Sequence, residues 1–305
     1  IYLKGSGLNE TSQVTFQVRD TAGNGLAGQN VDLTLVTAAG GVTMDGGLVP
    51  VRKVTDSSGN VIARINSGTV PTPVRVKATL AVSGISTVSS GLAVAVGLPS
   101  QLNFSLSQAT KNIEGCDIDG TPNSYQIIAS DRLGNPVPDG TSMNFVTEGG
   151  QIEAIKFTLT VGGLSRVSAN FISASPRPAD CRITVLSYAL GEESFLDTNG
   201  DNLYTGGEDF QDLGDVFLSR NYKSVYDASV DQLISLSNTG SNPCTAPTSP
   251  LLSIVKDRSI PSRAGTCDAA WGRAYVRRAT ETVFSASAAR PVWANKPSNL
   301  YTSTG

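Results

Sequence analysis

An acidic loop of twelve residues, DTNGDNLYTGGE, carries the side chains best suited to chemistry. Side-chain oxygens stand at positions 1, 3, 5, 9 and 12 of this window, and a backbone carbonyl is available at position 7. This is the ligand spacing of an EF-hand calcium loop, in which six to eight hard oxygens surround one Ca²⁺ ion. The sequence therefore predicts a calcium site with the ligands Asp197, Asn199, Asp201, Leu203, Thr205 and Glu208.

One position departs from the EF-hand pattern. Position 6, where the sharp turn normally has glycine, is Asn202. Asn enters the left-handed region of backbone space more readily than most residues, so the turn remains feasible. The flanking residues lack the periodicity of amphipathic helices, so we expect an isolated loop carried by β-structure. The alternative is an acidic surface turn that binds no metal.

The loop has a second copy 22 residues further on. Residues 217–232 keep the Phe, Leu, Asn and Tyr of residues 195–210 in register. The ligands are not kept, because Ser219, Lys223 and Val230 stand at positions 1, 5 and 12. An ammonium group repels a cation, so we interpret this copy as degenerate. The contrast favours a functional role for the first copy.

The composition excludes several kinds of site. The chain has no histidine, which Ser-His-Asp triads, Cys-His pairs and His-ligated zinc all require. A carboxylate pair, a Ser-Lys pair or a metal held by oxygens remains, and only the last has a local signature. Lys and Arg are scattered, which argues against a nucleic-acid surface. Between residues 192 and 215 there are eight carboxylates and no Lys or Arg. We predict no enzymatic activity.

The elements that position these residues are expected to be strands. Gly, Pro, Ser, Thr and Val are frequent and no long run of helix formers occurs, which predicts short strands joined by turns. Residues 14–37 and 124–147 form a repeat, in which the matching turn residues, such as Asp20 and Asp131, are 111 positions apart. In each copy an Asp-x-x-Gly-Asn turn, beginning at Asp20 and at Asp131, joins two alternating strands. This spacing suits β-sandwich domains of about 100 residues.

Four cysteines in such a chain indicate disulfides rather than reactive thiols. Three pairings are possible. We favour Cys116 with Cys181, because both lie in the second repeat near its first and last strands, and Cys244 with Cys267, which closes a loop. A metal site made of four thiolates is disfavoured, since no C-x-x-C spacing is present. Disulfides predict export to an oxidising compartment.

The repeats resemble the immunoglobulin-like repeats of the bacterial invasin and intimin type. The stretches that match are VRDTAGNGLAGQNVDLTL, VTDSSGNVIARI and VRVKATL in the first copy and ASDRLGNPVPDGTSMNF in the second. The DxNGxxxYxxGE pattern of residues 197–208 is similar to loops that interrupt such repeats in bacterial surface proteins. The resemblance implies a rigid extracellular stalk or adhesin at the bacterial cell surface, with no catalytic residues.

The predicted fold class is all-β. We expect immunoglobulin-like sandwiches at residues 1–97 and 98–190, an acidic calcium-loop insertion with its degenerate copy at residues 191–240, and a disulfide-closed C-terminal β segment at residues 241–305. A basic strand within residues 271–293 either complements the acidic block of residues 192–215 across a domain or subunit boundary or presents a solvated face, which is the more common case. The sequence contains no run of 18 apolar residues, so we predict no membrane span, and no export signal is visible at the start of the chain.

The predicted function is that of a non-enzymatic bacterial surface stalk, adhesin or extracellular filament subunit, rigidified by calcium and disulfides. Its expected partners are neighbouring immunoglobulin-like domains or identical subunits, placed end to end, and a host or surface protein or glycan. The alternative is a carbohydrate-binding or hydrolytic accessory module of an exported enzyme. That alternative requires paired carboxylates across a cleft or clustered exposed aromatic residues.

Overall fold

The computed structural model describes residues 1–36, 39–234, 240–244, 247–249, 251–252 and 258–286. The regular structure of this part is almost entirely β, which confirms the predicted fold class. Helical structure in the described ranges amounts to short 3-10 turns at Ala39–Gly41 and Gln101–Asn103. None of the helices in these ranges has the length and apolar character that a membrane crossing requires.

The first sandwich is built from strands in which apolar residues alternate with polar ones. Val61, Ala63 and Ile65, for example, are buried while their neighbours are not. One sheet has the order β1-β5-β3, the facing sheet the order β4-β2-β7-β8, and β6 pairs with β9. The strands are β1 (Thr11–Gln17), β2 (Asn30–Leu35), β3 (Thr43–Met44), β4 (Val51–Val54), β5 (Asn60–Asn66), β6 (Thr72–Val74), β7 (Val76–Leu80), β8 (Ser86–Val88) and β9 (Leu92–Val94).

The second sandwich repeats this plan with longer strands. One sheet has the order β10-β12-β17-β14, with β16 also on β17, and the facing sheet the order β11-β21-β18-β13-β15. Its strands are β10 (Phe104–Gln108), β11 (Asn112–Glu114), β12 (Pro122–Ala129), β13 (Ser142–Thr147), β14 (Gln151–Ile152), β15 (Ile155–Phe157), β16 (Leu159–Val161), β17 (Leu164–Ile172), β18 (Arg182–Glu192) and β21 (Arg273–Ser285); between the last two, β19 (Phe217–Leu218) pairs with β20 (Gln232–Leu233).

The repeated turn is built in the same way in both sandwiches. After β1, Oδ1 of Asp20 accepts the amides of Ala22 and Asn24 at 2.9 and 2.8 Å. After β12, Oδ1 of Asp131 accepts the amides two and four residues on, at 3.0 and 2.9 Å. The glycine of each turn has a positive φ, which explains why glycine is needed there.

The last strand belongs to the second sandwich. β21 pairs antiparallel with β18 along its length, from Arg182 opposite Val283 to Glu192 opposite Arg273. The predicted C-terminal segment from residue 241 thus supplies a central strand to this domain, and its residues 287–305 lie outside the described part. Residues 193–272 form an insertion between two adjacent strands, and the acidic loop lies within that insertion.

Both disulfides join the cysteines that the sequence paired. Cys116 and Cys181 have Cα atoms 5.9 Å apart and close the end of the second sandwich beside its core. Cys244 and Cys267, with Cα atoms 5.0 Å apart, lie in the insertion. All four cysteines are therefore cross-linked.

Candidate metal site at the junction between the sandwiches

Asp197 organises the first turn of the acidic loop. Its Oδ1 accepts the amide of Gly200 at 2.7 Å, and its Oδ2 accepts the amide of Asn202 at 2.8 Å. Asn202 has a φ of 61°, the left-handed conformation that position 6 of the predicted calcium loop requires. Asn can adopt this conformation at modest cost, so the loop folds without the usual glycine.

Three predicted ligands meet at the middle of the loop. Nδ2 of Asn199 donates to Oδ2 of Asp201 and to Oγ1 of Thr205, each at 3.1 Å. The other oxygen of Asp201 accepts the amide of Leu203 at 2.7 Å. An NH₂ group cannot ligate a cation, so Ca²⁺ at this point requires the Asn199 amide to turn and present its oxygen.

Glu208 closes the loop with its carboxylate. Oε1 accepts the amide of Thr198 at 2.8 Å and Oε2 accepts the amide of Thr205 at 2.9 Å. These bonds, the one from Thr205 first, hold the pKa of Glu208 below its usual value. The hydroxyl of Thr198 also donates to Oε1 at 3.3 Å, and because a carboxylate offers about four acceptor positions, these three bonds leave room for one cation contact.

The donor set fits a hard cation, but the carboxylates do not converge on one point. In the described ranges, no three Asp, Glu, Cys or His side chains are grouped closely enough to hold a metal. Every predicted ligand supplies oxygen, which is what Ca²⁺ prefers. Asp197 and Glu208 face backbone amides, however, and would have to share their remaining lone pairs with the ion. Calcium binding stays a prediction.

The second copy of the loop contains a carboxylate clamp that the sequence comparison missed. Oδ1 of Asp231 accepts the amide of Arg220 at 2.9 Å, and Oδ2 accepts the amide of Asp227 at 2.8 Å. These amides correspond, 22 residues on, to the two that Glu208 accepts. The alignment placed Val230 opposite Glu208, whereas the clamp comes from the next residue. Both copies therefore contain a carboxylate that accepts the same two amides. They differ at position 1, Asp197 against Ser219, and at position 5, Asp201 against Lys223.

Four aromatic rings fix the acidic loop to the second sandwich. Tyr204 stacks on Trp271 with ring centroids 5.1 Å apart, and Phe195 and Phe210 meet Tyr204 edge-on at 5.6 and 5.7 Å. Nε1 of Trp271 donates to the carbonyl of Glu193 at 2.9 Å. The sequence indicated no role in the loop for Trp271, which lies 67 residues after Tyr204 and two residues before β21.

Arg132 ties the loop to the repeated turn of the second sandwich. Its Nη1 donates to both oxygens of Glu192 at 2.8 and 2.9 Å, and its Nη2 donates to the carbonyl of Asn202 at 2.8 Å. The guanidinium also lies 5.5 Å from the ring centre of Phe195 and 5.9 Å from that of Trp271. Burial raises the pKa of Glu192, and the charge of Arg132 opposes that rise.

Asp131, the residue before Arg132, is hydrogen-bonded to the segment that follows the last strand of the first sandwich. Oδ2 of Asp131 accepts the amide of Val96, in the connection that follows β9, at 2.9 Å. The amide of Ser100 donates to the carbonyl of Ser130 at 3.0 Å, and Val96 and Ser100 are both buried. Asp131 and Arg132 therefore link the first sandwich, the second sandwich and the acidic loop.

The basic last strand meets the acidic block inside the molecule. Arg277 of β21 is fully buried and donates to the backbone carbonyls of Tyr275 and Gly214. Burial lowers its pKa to about 9, although Glu193 and Asp215 act in the opposite direction. Burial raises the pKa of Glu193 to about 8. Arg277 therefore lies near acidic groups of the insertion in its own domain, whereas the sequence suggested complementation across a domain or subunit boundary.

The comparisons with known proteins concern the fold. No family model and no curated protein matches the chain. Among solved structures, the D0-D1 domain of intimin is 14% identical over 61% of this chain and 85% of that chain, with a TM-score of 0.28. Invasin, described as a bacterial integrin-binding protein, is 18% identical over 61% of this chain and 34% of that chain, with a TM-score of 0.29.

A third structure, InvD of Yersinia pseudotuberculosis, is 19% identical over 68% of this chain and 53% of that chain, with a TM-score of 0.31. The chain thus spans about a third of the invasin structure and half of the InvD structure. All three are bacterial immunoglobulin-like adhesin domains, the class that the sequence resembles. At these identities and TM-scores the likeness concerns the type of fold and says nothing of a ligand or partner.

Proposed function

We propose that this chain is a non-enzymatic, extracellular module of a bacterial surface stalk or adhesin, whose two sandwiches act as one rigid segment. The observation that carries the proposal is the double role of the Asp131 turn. Asp131 receives the buried amide of Val96 at 2.9 Å, and the next residue, Arg132, is held by Glu192 and by the acidic loop. Domains that are joined only by an exposed linker move freely, whereas a buried, hydrogen-bonded connection restrains them.

The disulfides support the extracellular location. Cross-links of this kind persist in oxidising environments and are rare in the cytosol. Cys116–Cys181 closes the second sandwich, and Cys244–Cys267 restrains the insertion that carries the loop. Both cross-links would stabilise a stalk outside the cell.

The proposal includes Ca²⁺ as a ligand of the acidic loop. Asn202, at position 6, donates to the carbonyl of Pro71 in the first sandwich at 3.4 Å and accepts from Arg132 of the second. Ordering the loop around an ion would therefore strengthen contacts to both domains. The expected dissociation constant is that of extracellular sites, about 10⁻⁴ M.

The test combines calorimetry with solution scattering. At free Ca²⁺ tenfold above the dissociation constant, the folded state should gain about 1.4 kcal/mol of stability. Asp201→Lys copies Lys223 of the second loop and should abolish both the heat of binding and the stabilisation. Asp231→Asn is the matched control, because it weakens the clamp of the second loop and should leave the calcium response intact.

The scattering experiment addresses the stalk itself. An elongated particle supports the stalk. A narrower distribution of interatomic distances after addition of Ca²⁺ supports a segment that calcium makes rigid. A parent protein without any calcium response would remove the metal from the proposal. A compact particle with turnover on a panel of glycans or peptides would remove the stalk.

Glycan binding is the second candidate, and one observation favours it. A cleft of about 430 Å³ lies beside the acidic loop and combines aromatic rings with carboxylates, a size and lining found in small-ligand sites. Its lining includes Tyr204, Phe210, Asp209 and Asp212. Binding on a glycan array that is lost in Tyr204→Ala, with the fold retained, would place an adhesion ligand here.

A further inference from the structure

The cleft beside the acidic loop combines negative charge with aromatic rings. Its volume is about 430 Å³, and its lining includes the acids Glu208, Asp209 and Asp212 and the aromatic residues Tyr204 and Phe210. Among the described residues that line the cleft there is no Lys or Arg. A cleft lined by charges of one sign concentrates the opposite sign. Its charge therefore suits a positively charged ligand.

Two of the three carboxylates are engaged in shaping the cleft. The oxygens of Glu208 accept the bonds that close the acidic loop. Oδ2 of Asp209 accepts the hydroxyl of Thr248 at 3.1 Å and the amide of Ser249 at 2.5 Å. Hydrogen bonds from backbone amides lower the pKa of both acids. The charges of Glu208 and Asp209 are therefore already stabilised by donors of the protein.

Asp212 differs from the other two acids. It is 7% exposed, and its Oδ2 accepts the amide of Ala269, another lining residue, at 3.1 Å. In the part of the chain that the structure describes, no donor reaches its buried Oδ1. Burial raises the pKa of this carboxyl group. A buried acceptor without a partner is costly, so a cation against this wall would supply the counter-charge that Asp212 lacks.

The second disulfide holds the walls of the cleft in place. Ala269 follows Cys267 by two residues, and Pro247, which also lines the cleft, follows Cys244 by three. The sulfur of Cys267 lies 3.5 Å from the carbonyl oxygen of Asp212. The cleft is therefore formed before a ligand arrives, and binding requires little ordering of its walls.

The aromatic side of the cleft favours a ligand that contains rings. Tyr204 and Phe210 meet edge-on with ring centroids 5.7 Å apart. Aromatic faces attract cations and also pack against the C–H groups of sugar rings. The volume of the cleft is about three times the roughly 150 Å³ void that holds a benzene ring. It has room for a sugar ring or two, whereas one lysine side chain would leave most of it unfilled.

We propose that this cleft binds a glycan with free amino groups, such as an oligomer of glucosamine. The protonated amine lies against Asp212, and the sugar rings pack on Tyr204 and Phe210. The inference rests on the glycan-binding candidate of the proposed function and names the class of its ligand. A sugar of the same shape with an acetamide or a hydroxyl group lacks the positive charge, so the cleft should discriminate against both.

Calorimetric titration with three tetrasaccharides tests the proposal. The tetramers of glucosamine, N-acetylglucosamine and glucose share one β-1,4 backbone and differ in the group at C2. The titrations use the full chain at pH 6, where sugar amines are protonated, with a calcium chelator present. The glucosamine tetramer should bind at least about tenfold more tightly than the other two, because charge-assisted hydrogen bonds are roughly twice as strong as neutral ones. Added salt should weaken its binding alone.

Asp212→Asn tests the residue that supplies the charge. The oxygen of the new side chain can still accept the amide of Ala269, so the wall keeps its shape while the charge is removed. The glucosamine tetramer should bind this variant at least about tenfold more weakly, and the acetylated tetramer should bind it as before. Asp268→Asn is the matched control, because it removes an exposed charge next to Ala269 and should change the affinity only slightly. Melting curves show whether each variant folds.

The outcomes separate this inference from the proposed function. Equal affinity for the three tetramers, or glucosamine binding that Asp212→Asn leaves unchanged, would overturn the inference while glycan binding stands. If no tetramer binds, both the inference and the glycan candidate fail, and the scattering test of the stalk is unaffected. Tighter binding of trilysine than of the glucosamine tetramer would also overturn the inference, because that result would assign the cleft to a basic protein segment.

Discussion

Replacing Arg132 by methionine should be among the most damaging single substitutions in this protein. The side chains of Arg132 and Glu192 are only 12% and 5% exposed, and the two are joined by bonds of 2.8 and 2.9 Å. Methionine keeps much of the volume and removes the charge. The substitution therefore leaves the Glu192 carboxylate buried without its cation.

The expected loss follows from that burial. Removing one partner of a buried ion pair typically costs about 3–5 kcal/mol, because the remaining charge is neither solvated nor paired. The contacts of the guanidinium with Phe195 and Trp271 add up to about 2 kcal/mol more. Together they predict a fall of about 5 kcal/mol in the free energy of unfolding at pH 8.

The dependence of this loss on pH identifies its cause. Burial already raises the pKa of Glu192, and removing Arg132 raises it further. A raised carboxyl pKa contributes stability that is present at low pH and is lost as pH rises through the folded pKa. The cost of Arg132→Met should therefore be smaller at pH 5 than at pH 8.

Urea denaturation at the two pH values measures both effects. Arg52→Met is the matched control, because the side chains of Arg52 and its partner Asp32 are 61% and 35% exposed, and surface pairs contribute at most about 1 kcal/mol. Arg132→Met/Glu192→Gln should recover part of the loss. A cost below about 1 kcal/mol, or one that is equal at both pH values, would refute the assignment of a buried pair.

Three further predictions follow from the same structure. Asp131→Asn places an NH₂ group opposite the amide of Val96 and should cost about 1–3 kcal/mol in urea denaturation, whereas Asp20→Asn, at the only partly buried counterpart, should cost little. Removing Cys116–Cys181, which spans 65 residues, should cost up to about 4 kcal/mol in the same assay. Because burial raises the pKa of Glu193 to about 8, the free energy of unfolding should fall as pH rises from about 5 to 8, and Glu193→Gln should flatten that fall.

Each of these expectations has a contrary outcome. Equal costs for Asp131→Asn and Asp20→Asn would mean that the bond to Val96 contributes nothing. Unchanged stability after loss of the first disulfide would mean that the reduced chain is already restrained. A pH profile that Glu193→Gln leaves as steep as before would assign the slope to other groups.

The features that the sequence predicted are local ones. The Asp-x-x-Gly-Asn turns, the alternation of strands such as β5 and the left-handed conformation of Asn202 each depend on a few neighbouring residues. Turn chemistry and side-chain periodicity determine such features largely without the rest of the chain. The pairing of Cys116 with Cys181 followed from their places in the second repeat, and the pairing of Cys244 with Cys267 followed from the loop that it closes.

The features that the sequence missed depend on long-range contacts. Trp271 stacks on Tyr204 because β21 returns to pair with β18, and no local pattern indicates that return. Arg277 is completely buried although arginine is usually solvated, because the carbonyls of Tyr275 and Gly214 accept from its guanidinium and the charges of Glu193 and Asp215 favour its charged form. Asp231 was overlooked because it lies one residue after Val230, the position that aligns with Glu208. An alignment without gaps does not detect such a shift.

The insertion between β18 and β21 gives this domain a natural grafting point. Glu192 and Arg273 are partners in the ladder, so the 80 residues of 193–272 leave the sandwich and return to it at adjacent positions. The entropy of closing such a loop grows only slowly with its length, so the sandwich tolerates segments of very different size there. A replacement segment would also have to supply the contacts that the insertion makes to the host strands, above all the carbonyl of Gly214 that accepts from the fully buried Arg277.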